Sequence, residues 1–188
     1  MKRAAILKVL VIVGLSVPLL TLAAIIVPAP ETLVAEVKRD GPRAVVSRLW
    51  ADGKLFEAVL RRIESGDGEW LDVARQLKPG TDGGESESLD YAVALALPRA
   101  PSHVLPLIGA GFQVGSICTA PHIEAPLSVV MGHLRAVEKA LSTFKTSKYA
   151  SVRVECLERV RGLRSKLAAR DSAAKSSAPV NAPPAARR

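Results

Sequence analysis

The sequence predicts an all-α body, a helical bundle or a short stack of helical hairpins. An amino-terminal signal or anchor segment precedes it and a disordered carboxyl-terminal tail follows. Apolar residues recur at helical spacing in one segment after another, and Gly, Pro and Asp punctuate them. No segment alternates apolar and polar residues between regularly spaced turns, so a sheet is not expected. The chain has 188 residues. With residues 1–30 and 171–188 set aside, residues 31–170 suffice for one hydrophobic core without staples. They are too few for a TIM barrel or a two-domain enzyme.

Lys2, Arg3 and Lys8 precede an uncharged run from Val9 to Val27. Nineteen helical residues span roughly 28 Å, close to the hydrocarbon thickness of a bilayer. A cleaved signal peptide has an apolar stretch of about 7–15 residues with small residues before the cut. Thr21-Leu22-Ala23 is a marginal site, and Val27-Pro28-Ala29 is blocked by the following Pro30. Two outcomes stay open: an inner-membrane anchor through residues 9–27 with the body in the periplasm, or a body cleaved and secreted to the periplasm. In both, the basic flank stays cytoplasmic and the body is exported. No Cys lies near this segment, which excludes lipoprotein-type acylation.

Pro28-Ala29-Pro30 forms a stiff link. Asp40-Gly41-Pro42 reads as a helix start, with Ala44, Val45, Leu49 and Trp50 behind it. Leu55, Phe56, Val59, Leu60 and Ile63 mark the next amphipathic helix, with Arg61, Arg62 and Glu64 outside. Ser65-Gly66-Asp67-Gly68 ends it, and Asp67 is placed to cap a helix carrying Trp70, Val73, Ala74 and Leu77. Asp82 and Glu85 have capping-box spacing before Leu89, Ala92, Val93, Ala96 and Leu97. A short helix is expected over 102–108. Residues 109–126 are a long irregular stretch. Leu127, Val130, Met131, Leu134, Val137 and Leu141 then form one stripe, and Val152, Cys156, Val160, Leu163 and Leu167 another. From Asp171 the tail is Ala, Ser, Pro and Arg, with little to bury.

Ser65-Gly66-Asp67 with Trp70-Leu71, Pro79-Gly80-Thr81-Asp82-Gly83-Gly84, then Glu87, Leu89 and Ala96-Leu97-Pro98 form a connected pattern. Pro101, Val104-Leu105 and Ile117-Cys118 with Pro121 complete it. Over roughly residues 50–125 this resembles a group of small exported all-helical proteobacterial proteins that carry no assigned activity. The resemblance implies export and a helical body, and it carries over no catalytic residue.

Lys and Arg number 26 against 18 Asp and Glu, but the excess sits at the ends. The body, 31–170, holds 20 basic and 17 acidic side chains. That is no nucleic-acid signature. The body is polarised: residues 31–98 carry a net charge of −4 and residues 99–170 carry +7.

In an oxidising compartment, two cysteines are expected to pair. Cys156 sits on the inner stripe of the last helix and Cys118 in the long loop. A bridge would close a loop of about forty residues and stabilise by about 3–4 kcal/mol. Cys118, His122, Glu124 and His133 can be arranged as a metal set on paper, but their spacing fits no zinc pattern. Gly109, Gly111 and Gly115 have the wrong spacing for a phosphate loop. The carboxylate pairs Glu85/Glu87 and Asp67/Glu69 read as solvated helix starts. Trp50 and Trp70 read as core anchors. No catalytic, cofactor-binding or metal-binding residue is therefore assigned, and no cofactor is called for. His122 and Glu124 remain as a possible interaction loop.

The expected function is that of a non-enzymatic exported or membrane-anchored binding module. Its candidate partners are the membrane through residues 9–27, an envelope protein, or an anionic surface for the basic last helix. Nucleic acid is not expected. One alternative is a small exported enzyme with its site in the 109–126 loop. Another is an inhibitor or immunity-type protein that uses this loop to plug a partner's cleft.

Overall fold

A computed structural model describes residues 26–121, 124–145 and 147–177. The predicted anchor therefore lies outside the described residues, apart from Ile26 and Val27. Among the described residues no helix is long and apolar enough to cross a membrane.

The described chain is all-helical, with no strand beyond one isolated bridge between Ile108 and Phe112. The order is α1 (Pro30–Asp40), α2 (Pro42–Ala51), α3 (Gly53–Glu64), α4 (Gly68–Leu77), α5 (Gly83–Ala96), α6 (Pro101–Val104), α7 (Val114–Ile117), α8 (Leu127–Thr143) and α9 (Ala150–Ser177). Short 3-10 turns lie at Lys78–Gly80 and Leu105–Leu107.

Local signals account for most boundaries. Pro opens α1, α2 and α6 where its missing N–H costs no helical hydrogen bond. The Asp52 carboxylate accepts from Leu55 N at 3.1 Å and caps α3. Asp67 accepts from Glu69 N at 2.9 Å and from Trp70 N at 3.3 Å, the cap its position predicted. Asp82 and Glu85 form the reciprocal capping box of α5. Gly66 ends α3 at φ 84°, and a Cβ there would also strike the Ala100 side chain at 2.9 Å.

α1 packs on α2 and α4, and α3 packs along α5. α8 and α9 form a hairpin of their own, and the one-turn α7 touches both α5 and α9. One continuous core runs from Leu33 and Val37 through Val59, Ile63, Leu77 and Val93 to Leu134, Val137, Cys156 and Val160. Ion pairs clasp the hairpin: Glu138 takes Arg161 at 2.9 Å and Arg164 at 2.8 Å. Arg153 on α9 donates to the Leu141 carbonyl of α8 at 3.2 Å.

Four expectations need correction. Residues 30–40 form a helix whose Leu33 and Val37 are buried, where only a stiff link was foreseen at its start. Residues 109–126 hold the short helix α7 rather than being irregular throughout. Trp50 is 47% exposed, because Val45, Val46 and Leu49 take the inner face of α2 and leave the indole at its edge. The last helix passes Asp171 and continues to Ser177, since Ala, Ser and Lys extend a helix without needing a core. The expectation of disorder thus fails over 171–177. Residues 178–188 lie outside the described residues.

Candidate functional site

The 109–126 segment was the sequence's main candidate, and its backbone explains much of its composition. Gly109 and Gly111 adopt φ of 90° and 103°, and Gly109 N donates to the Phe112 carbonyl at 2.9 Å. This tight turn drives Phe112 into the core, where it is 2% exposed. The Lys78 ammonium lies 4.9 Å from the Phe112 ring centroid. The glycines therefore build a turn that seats an aromatic anchor.

After the turn, α7 delivers Cys118 at its carboxyl end, and α9 presents Cys156 from its inner stripe. The two Cα atoms are 5.2 Å apart, at disulfide distance, and both residues are fully buried. The pair sits where the α8–α9 hairpin meets the rest of the body. It couples α7, which rests on α5, to the helix that anchors the hairpin.

The other members of the paper metal set are not brought together. Glu124 is exposed, with a left-handed backbone at φ 58°. His122 lies outside the described residues. His133 is on the buried face of α8. His103 is exposed, with its ring 3.2 Å from where a Cβ on Gly68 would stand. Among the described residues no group of three or more His, Cys, Asp or Glu could hold a metal ion.

The carboxylate pairs divide differently from the sequence reading. Asp67, Glu69 and Glu87 are exposed. Glu85 is buried, at 7% exposure, against the expectation of a solvated charge. It accepts from Arg43 at 3.0 Å and from Asp82 N at 3.2 Å. The same guanidinium reaches the Gly80 carbonyl at 3.1 Å. Nearby, Lys78 donates to Ser86 Oγ at 2.8 Å and pairs with Asp90. These groups pin the 78–80 turn between α2 and α5, and their hydrogen bonds are spent on structure.

A second feature lies between α3 and α5. One depression is lined by Leu60, Glu64, Glu87, Ser88 and Tyr91. Another holds Trp50, Phe56 and Glu57 and shares Leu60 and Ser88 with the first, so the two form one groove. Burial pushes the Glu64 carboxyl above its ordinary value, against the opposing fields of Arg61 and Arg99. Sequence reasoning missed this groove, because its residues come from three helices and each looks like an ordinary surface position. Its legible signal was Trp50, one step off the Val45/Val46/Leu49 stripe.

Comparison of the chain with protein-family models, with curated proteins and with solved structures finds no match.

Proposed function

We propose that this chain is an exported helical module, tethered to the inner membrane or free in the periplasm, that works by binding an envelope component. The observation that carries the reading is the fully buried Cys118–Cys156 pair, 5.2 Å apart at Cα, at the junction of hairpin and body. A cross-link there closes in an oxidising compartment and stays open in a reducing one. The basic flank and apolar run of residues 2–27 supply the route to that compartment. The resemblance over residues 50–125 supports the same address.

Binding fits the distribution of groups better than chemistry does. Cys118, the one candidate nucleophile of the 109–126 loop, is withdrawn from solvent and faces Cys156. Glu124, one of its partners in an enzyme reading, is exposed. Two surfaces among the described residues suit binding, the α3–α5 groove and the α8–α9 hairpin. Residues 127–177 carry 11 basic against 4 acidic side chains, a field that draws anionic envelope surfaces.

A carboxyl-terminal alkaline phosphatase fusion tests the address. An active fusion is expected, and an inactive one overturns export. Affinity capture from envelope extract with the full chain in mild detergent then tests binding. Recovery of one defined component at stoichiometric yield is expected, and recovery of none contradicts the role.

A further inference from the structure

We propose that the groove between α3 and α5 receives a cationic peptide segment of a partner protein. A basic side chain would lie between Glu64 and Glu87, with an apolar one on Trp50. The inference deepens the binding role above and rests on it in giving the groove a protein partner.

Trp50 is the first support. It is 47% exposed, yet it is not loose. Its ring meets Phe56 edge-on, with centroids 5.3 Å apart and planes at 76°. Gly84 also leaves room for the indole, whose Cη2 lies 3.4 Å from where a Cβ would stand. A rigid, half-exposed aromatic loses little entropy on meeting a ligand and offers its face to a cation or an aliphatic chain.

Charge is the second. No Lys or Arg lines either depression, whereas three carboxylates do. Glu57 faces Arg61 at 3.7 Å, near the limit of an ion pair. Glu87 is exposed, and its carboxylate has no hydrogen bond or ion pair among the described residues. Glu64 is partly withdrawn from water, and among the described residues its carboxylate shows no ion pair or hydrogen bond, although Arg61 and Arg99 act on it and Arg99 donates to its backbone carbonyl at 3.3 Å. Tyr91 and Ser88 complete the wall. A half-desolvated carboxylate beside a free one is stabilised by an incoming ammonium or guanidinium. α3 has 12 residues and is about 18 Å long. That length matches about five extended residues at ~3.3 Å each.

The test is a calorimetric titration of the full chain in neutral detergent. The probe is a blocked peptide of alternating lysine and leucine, with a serine-for-lysine version as control. Saturable binding of one lysine peptide per chain is expected, and the control should bind at least tenfold more weakly. Glu64→Gln with Glu87→Gln should weaken the lysine peptide about tenfold or more, and Trp50→Ala about tenfold. Glu31→Gln with Glu69→Gln, in the acidic depression between α1 and α4, should change it less than twofold. Circular dichroism of each variant confirms the fold. Equal losses from both carboxylate pairs would mean diffuse charge attraction and overturn the proposal. So would equal binding of the control peptide, no saturable binding, or a groove filled by a second copy of the chain. Peptide binding at the groove with no envelope partner captured would instead sink the binding role and leave the groove's chemistry standing.

Discussion

Glu64 and Glu85 are both drawn out of water, and their partners separate them. Glu85 is held by Arg43 and by the Asp82 amide. Arg43→Ala leaves a buried carboxylate without its cation and should cost about 1–3 kcal/mol in chemical denaturation. Among the described residues the Glu64 carboxylate has no such partner, and burial raises its pKa. An acid that is harder to ionise in the folded state than in the unfolded one takes stability away as pH rises through that interval. Glu64→Gln should therefore raise the melting temperature at neutral pH, and the gain should vanish below the ordinary glutamate range. A gain that persists at acid pH would mean the substitution acts through packing. Gly80 makes a third residue-scale case. Its Cα faces the Pro42–Arg43 peptide so closely that a Cβ would overlap backbone, which cannot move aside like a side-chain tip. Gly80→Ala should destabilise by about 1–3 kcal/mol or more, measured by the same denaturation.

At the scale of elements, the α8–α9 hairpin is self-contained and its bond to the body is local. It clasps itself through Glu138 and Arg153 and meets the rest chiefly through α7. Replacing both cysteines by alanine should cost about 3–4 kcal/mol. Hydrogen exchange should rise first in α7, α8 and α9, and uniform loosening would contradict a local clasp. The end of α9 behaves differently. Leu167 is its last residue packed against the core, and residues 168–170 and 172–176 are exposed. Truncation after Arg170 should shift the melting temperature by no more than a few degrees. The same elements show what could be read in advance. The stripes of α3, α4, α5, α8 and α9 and the caps at Asp67 and Asp82 were legible, because a buried helical face and a capped turn are written in adjacent residues. α1 was equally written, in Leu33 and Val37, but the prolines before it drew attention to a link. The helix beyond Asp171 was hidden because propensity alone carries it. The groove and the burial of Glu85 depend on which helices meet, and no local pattern encodes that.

For the whole molecule, one core carries a polarised surface, acidic over residues 31–98 and basic over 99–170. The acidic half holds the α3–α5 groove and the basic half holds the hairpin; both cysteines belong to the basic half, and α7 carries their clasp to the acidic half where it rests on α5. The account turns on export placing Cys118 and Cys156 where their closeness becomes a bond. Thiol titration under denaturant, on protein taken from the cell envelope without reductant, tests this most directly. The account predicts no titratable thiol before reduction and two after it. Two free thiols in the unreduced protein would contradict the clasp and the oxidising address together.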